Sequence, residues 1–173
     1  MNQTIRDNLR KAYDLDAQRR DSSDREGWKV EERANFLGML KKESKHSLLE
    51  VGAGPGKDSK FFQDQGFKVV CIDLSPEMVN ACRQKGIDAS VMDMTDLQFP
   101  AQSFDAVYSM NSLLHLAKAE LPAVLSKISG ILKLSGLFYL GMYGGYDFEG
   151  VREQDTFEPK RFFLFTRMTI SGE

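Results

Sequence analysis

The 173-residue chain has little of what a cross-linked or metal-built fold requires: two cysteines (Cys71 and Cys82), two histidines (His46 and His115) and one tryptophan (Trp28). The cysteines lie in an apolar run and a helical stretch and form no CxxC pair. That excludes a disulfide framework and a thiolate zinc site, no metal is expected, and a reducing cytoplasm fits. Neither sign of charge dominates, since 23 Lys and Arg stand against 25 Asp and Glu for a net charge of −2. This balance argues against nucleic acid or anionic membrane held by bulk charge. Mean hydropathy is −0.37, and no apolar run is long enough to cross a bilayer. The first residues, MNQTIRDNLRKAYDLD, contain no apolar core of a secretory leader. What remains is 42% hydrophobic and 28% charged, the balance of one globular domain with a real core.

The first 45 residues read as helical. Ile5, Leu9, Ala12 and Tyr13 recur at helical spacing, as do Val30, Phe36, Leu37 and Leu40, and the turn-forming DSSDREG between them breaks one helix from the next. From Ser47 short apolar runs alternate with amphipathic stretches. LLEVGAG, KVVCIDL, DASVMD, FDAVYSM and GLFYLGMYGG read as strands. KDSKFFQDQG, SPEMVNACRQKG and KAELPAVLSKISGILKLSG read as helices. Pro76 suits a first helical turn and Gly86 a C-terminal cap. This alternation predicts an α/β fold, a doubly wound and mostly parallel sheet covered on both faces.

The first strand runs into Gly52-Ala53-Gly54-Pro55-Gly56 ahead of a helix near Lys57. Such glycines let the backbone approach a ligand beside the open N–H groups of a helix start. A dinucleotide fingerprint, GxGxxG, would need glycine at position 57, where lysine stands. Asp73 ends the second strand, where a carboxylate can accept both hydroxyls of a ribose. Taken singly, the loop could be an ordinary strand–helix turn and Asp73 part of a helix cap. One βαβ unit apart, they point to a nucleoside-containing cofactor.

LLEVGAGPG, CIDLSPEMV, VMDMTDLQFP and FDAVYSMNSLLHL, in that order, resemble the motifs of the class I S-adenosylmethionine-dependent methyltransferases, over residues 48–144. The nearest likeness is to small bacterial members with unidentified acceptors. The resemblance implies S-adenosyl-L-methionine as cofactor, with Gly52, Ala53, Gly54 and Gly56 beneath its methionine part and ribose. Glu50 would order the loop and reach the cofactor amine through water. Asp73 would take the ribose hydroxyls, Leu74 would pack on the adenine, and Asp93 and the Met94 amide would read the adenine edge. Ser109 and Asn111 would sit by the methionine amine and the transferring methyl. Asp93 also suits a plain turn before Thr95. Tyr13 either reaches the cofactor carboxylate or packs with Leu9 and Ala17, and Trp28 is either a lid or a packing anchor. The implied organisation is one domain, with a helical cap (1–45), a cofactor-binding core (46–144) and an irregular tail (145–173).

Methyl transfer from a sulfonium chiefly requires alignment of the acceptor, and a hydroxyl acceptor also requires a base. His115, just past the fourth strand, is the candidate catalytic base, or else it packs the following helix; His46 reads as a surface residue. The expected partner is a small-molecule methyl acceptor. A cofactor-binding protein without catalysis is the alternative, and an NAD oxidoreductase is disfavoured by Lys57. The complete fold of the family has seven strands, yet only 29 residues follow Gly144. The fifth strand is therefore expected to be an open edge, with the strand-forming run 161–170 covering it, in its own chain or across a homodimer.

Overall fold

The computed structural model describes residues 2–167. Two helices open the chain, α1 (Gln3–Ser22) and α2 (Gly27–Lys42), separated by the expected turn. Asn2 caps α1, its side chain accepting from the Ile5 amide at 3.0 Å. Then follow β1 (Ser47–Val51), α3 (Lys57–Asp64), β2 (Lys68–Asp73), α4 (Pro76–Gln84), β3 (Asp88–Val91), β4 (Phe104–Met110), α5 (Leu121–Ile131) and β5 (Leu132–Gly141). Ser75 and Pro76 start α4 together, the serine hydroxyl accepting from the Met78 amide at 3.1 Å. Short 3₁₀ turns lie at Met94–Asp96 and Leu113–His115.

The five strands form one parallel sheet in the order β3-β2-β1-β4-β5. Leu49 lies beside Val70 on one flank and Val107 on the other. On one face Leu48, Val69, Ala106 and Tyr108 pack on Phe36 and Leu40 of α2 and Phe62 of α3. On the other, Leu49, Val51, Ile72 and Val107 meet Val124, Ile128 and Ile131 of α5. Burial on both faces explains why the central strands read as unbroken apolar runs, without polar alternation. No helix among the described residues is long and apolar enough to cross a membrane.

Three expectations need correction. The long helix predicted to run through Gly136 stops at Ile131, where its apolar stripe of Val124, Ile128 and Ile131 is complete. Leu134, which the longer helix would have included, lies in β5 and is 85% exposed. Residues 133–136 bulge out of β5, so that Phe104 pairs with Leu132 but Ala106 with Leu137.

The tail is not irregular. Phe148–Val151 (β6) and Phe162–Phe165 (β7) form an antiparallel pair, with Phe148 opposite Phe165 and Val151 opposite Phe162.

Nor do the described residues of the tail cover β5 of their own chain. All four residues of β7 are buried, and Phe163 and Phe165 pack on Leu114 beside the end of β4. An aromatic strand finds more apolar contact there than along a bare backbone edge. The last three residues of the run 161–170 lie outside the described residues.

Phe163 is 7% exposed, with its ring centroid 4.9 Å from that of His115. Phe163→Ala should cost about 3–5 kcal/mol and lower the melting temperature by on the order of 10 °C. An unchanged thermal melt would mean that the hairpin lies outside the cooperative unit.

Candidate functional site

In a parallel sheet of this order, helices flank opposite faces on either side of the β1–β4 boundary, and a crevice opens beyond the carboxyl ends of those strands. A cavity of about 370 Å³ lies there, walled by the glycine loop, the ends of β2 and β4, and α1. Its size suits a ligand of cofactor dimensions.

Gly52 (φ +73°) is where the loop meets β4: a Cβ there would fall 2.2 Å from the Ser112 Cβ. Ser112 closes the contact by donating from Oγ to the Val51 carbonyl at 2.6 Å. Because its proton is committed, Ser109 must be the donor in the 2.6 Å contact between the two hydroxyls. Ser109 is thus fully buried behind the cavity wall rather than on it. Gly56 (φ +78°) is also off the wall, turned against Cys82 and Ile87, where a Cβ would lie 2.7 Å from the Cys82 sulfur.

Asp73 accepts the Gly54 amide at 2.8 Å on one oxygen and the Ser75 amide at 2.9 Å on the other. Each oxygen keeps a lone pair, which suits a vicinal diol. Burial raises its pKa, and the two amides oppose that. Glu50 is buried at the foot of the loop and accepts from the Ser59 hydroxyl. Burial pushes its pKa up to about 7, against Ser59 and the Arg25 charge. Leu74, Met94 and Ala53 line the same cavity.

Asp93 is also on the wall, with its carboxylate already engaged. One oxygen accepts from the Thr95 amide and hydroxyl at 2.8 and 2.7 Å, and the other pairs with Arg6. Burial alone would raise its pKa, but Thr95 and Arg6 together bring it below the ordinary value. Asn111 takes a left-handed turn (φ +56°) fixed by its amide on the Gly141 carbonyl at 2.7 Å. Both polar atoms of its side chain are buried without a partner on the cavity wall, a state that costs free energy until a ligand pairs them.

Tyr13 and His115 meet on the wall, the phenol oxygen 2.6 Å from Nε2. His115 Nδ1 lies 2.7 Å from the Phe162 carbonyl in β7. Burial pushes the imidazole down to about 3, with the Phe162 carbonyl pulling upward and Arg161 and Arg20 adding to the fall. Burial raises the Tyr13 pKa, and Arg161 and Arg20 oppose it.

Trp28 lies off the cavity, 43% exposed, with its N–H on Glu26 at 2.8 Å and its ring edge-on to Tyr143. His46 is exposed, and both cysteines are buried free thiols.

Several charged residues escaped the sequence reading. Asp58 is buried between Arg25 and Arg33. Asp14 of α1 accepts the Ser75 hydroxyl and so fixes α1 on α4. Arg161, far along the chain, donates to Tyr13 at 3.1 Å. Arg20 lines the cavity beside Gly54, and its guanidinium forms no hydrogen bond or ion pair among the described residues, its Nε being buried. One signal for Arg20 was present. Arg6, Leu9, Tyr13 and Arg20 are spaced by 3, 4 and 7, a single helix face.

Glu50 supplies a titration with a definite sign. Its folded pKa of about 7 stands above the ordinary 4.5, so its contribution to stability is full below about pH 4.5 and is lost as pH rises through 7. Relative to Glu50→Gln, the wild type should lose up to about 3 kcal/mol across that window in denaturant titrations. Parallel profiles for the two proteins would refute the assignment.

The model of the methyltransferase domain family matches residues 48–136, more than half of the chain. An uncharacterized methyltransferase of Schizosaccharomyces pombe is 32% identical over 120 residues, covering 61% of this chain and 46% of that protein. Phosphoethanolamine N-methyltransferase 3 of Arabidopsis thaliana is 30% identical over 115 residues, covering 62% and 23%. The chain thus spans less than half the length of these curated relatives. Among solved structures, the PH0226 protein of Pyrococcus horikoshii OT3 superposes with a TM-score of 0.58 at 26% identity, covering 66% of this chain and 57% of that one. The DhpI-SAM-HEP complex gives 0.72 over 96% and 85% at 14% identity, a likeness of fold alone. With its glycine loop, Asp73 and five-stranded parallel sheet in place, the chain belongs to the class I methyltransferase family.

Proposed function

We propose that this protein transfers a methyl group from S-adenosyl-L-methionine to a small-molecule acceptor. The observation that carries the reading is one cavity whose open valences match that cofactor. Asp73 keeps two lone pairs for the ribose diol, and Arg20 is an unpaired cation for the carboxylate. Gly52 leaves the loop without a side chain, and the Asn111 amide awaits a partner. Relatives named phosphoethanolamine N-methyltransferases support a small-molecule acceptor.

Bound there, the sulfonium supplies the methyl group and a neutral leaving thioether. The chain's part is orientation and exclusion of water, and orientation alone can contribute roughly 7–11 kcal/mol. His115 is a poor base in this setting, since burial pushes its pKa down to about 3 and both ring nitrogens are already engaged. The reading therefore favours an acceptor that brings its own lone pair, an amine or a thiolate. Buried free thiols at Cys71 and Cys82 support a reducing, cytoplasmic setting. A homodimer would use the β5 edge, unpaired among the described residues and carrying exposed Leu134 and Leu140, and sedimentation velocity reads whether a dimer forms.

Titration calorimetry should show S-adenosylhomocysteine binding and no NADH binding, with Asp73→Ala at least tenfold weaker while folded by circular dichroism. Formation of S-adenosylhomocysteine across a panel of amines, thiols and phenols tests catalysis. Binding without turnover on any acceptor would favour a non-catalytic binder. The rate should show no imidazole limb between pH 5 and 8, because His115 titrates near 3. An inflection near pH 6.5 that His115→Gln abolishes would restore the histidine as base.

A further inference from the structure

The hydrogen bonds behind Tyr13 have only one consistent polarity. The Phe162 carbonyl carries no proton, so His115 Nδ1 must donate to it across 2.7 Å. The neutral ring then has only a lone pair at Nε2, and the Tyr13 hydroxyl, 2.6 Å away, must donate to it. Arg161 Nη1 donates in turn to the Tyr13 oxygen at 3.1 Å.

Arg161 cannot readily leave. Asp155, its side chain 4% exposed, holds it through Nε at 2.9 Å and Nη2 at 2.6 Å. The guanidinium carbon also lies 3.4 Å from the centre of the Phe157 ring. Reversing the chain would require a charged, buried imidazole facing the cations of Arg161 and Arg20, which burial and both charges oppose.

We propose that His115, by taking the Tyr13 proton, is a positioning residue that leaves Tyr13 only a lone pair to offer the cavity, beside the one Arg161 occupies, and that this lone pair takes an N–H donor, the α-ammonium of the bound cofactor. This rests on the cofactor reading above and departs from the expectation that Tyr13 meets the carboxylate. Two oxygens, each offering only lone pairs, repel. The carboxylate falls instead to Arg20, whose guanidinium stands 5.4 Å from the centre of the Tyr13 ring and beside Gly54. Because Phe162 and Arg161 both belong to the C-terminal segment, the hairpin sets the polarity of a group on the cavity wall.

Three probes test this by calorimetry: S-adenosylhomocysteine, its analogue with hydrogen replacing the α-amino group, and its decarboxylated analogue. Tyr13→Phe should weaken S-adenosylhomocysteine and the decarboxylated analogue by on the order of tenfold and leave the desamino analogue unchanged. A penalty confined to the probes that keep the carboxylate, or no penalty on any of them, overturns the proposal. If the N–H donor belongs instead to the methyl acceptor, Tyr13→Phe leaves all three affinities intact and raises KM for an amine acceptor, which overturns the cofactor assignment. His115→Phe, which leaves the Tyr13 proton without its acceptor and free to point into the cavity, should reduce the preference of the protein for the amino-bearing probes. The same relative binding of the three probes by His115→Phe and wild type overturns the role given to His115. Failure of the wild type to bind S-adenosylhomocysteine at all sinks the methyltransferase reading itself, a result separate from any pattern among the variants.

Discussion

The contact between Gly52 and Ser112 is the constraint on which the site depends. No side chain fits between the end of β1 and the turn after β4, and the Ser112 hydroxyl ties that turn to the Val51 carbonyl. With these backbones locked together, the glycine loop swings outward, and the crevice past the strand ends becomes a cavity instead of a packed junction. The Gly54 amide then meets Asp73, so one carboxylate registers β2 against the loop from β1. Asn111, in the same turn, is forced into a left-handed conformation with its amide facing the cavity. Ligand valences therefore arise from main-chain packing as much as from the choice of side chain.

Around this junction the charges are arranged so that few remain open. Arg6 is neutralised by Asp93 and Glu120, and Arg25 and Arg33 share Asp58. Buried charges persist only when paired or hydrogen-bonded. Arg20 is the exception on the wall, with no counter-ion among the described residues. The buried, unpartnered Arg20 Nε and Asn111 amide on the same cavity wall cost the protein stability that a ligand pairing them would recover. Asp93 shows the reverse economy: its carboxylate was legible as a ligand group, yet much of its capacity goes to holding α1 through Arg6.

The C-terminal hairpin joins fold and site. Its aromatic strand is buried against Leu114 and the imidazole of His115. The imidazole lies at the centre of a chain from Phe162 to Tyr13, and Arg161 closes that chain from the other side. A histidine so enclosed loses basicity and gains directional value, since its tautomer is dictated by a carbonyl that can only accept. The wall facing α1 is thus shaped by residues about 150 positions away from Tyr13 in sequence.

The sequence by itself determined the sheet, its helices and most of the cavity wall. Unbroken apolar runs demand burial on both faces, and glycines directly after the first strand with Asp73 after the second announce a ligand crevice, because these signals are local in spacing. It also misplaced what depends on contacts across the chain. The helix before β5 ended early, its buried stripe complete at Ile131, and Leu134 stands exposed in the β5 bulge. The tail chose the aromatic surface by Leu114 over the β5 edge. Gly56 and Ser109 turned into packing rather than the cavity, while Arg161 entered its support unannounced. Periodicity tells which face of an element is apolar, but which polar groups meet, and which of two hydrogen-bonded atoms holds the proton, is decided only when distant segments are brought within about 3 Å.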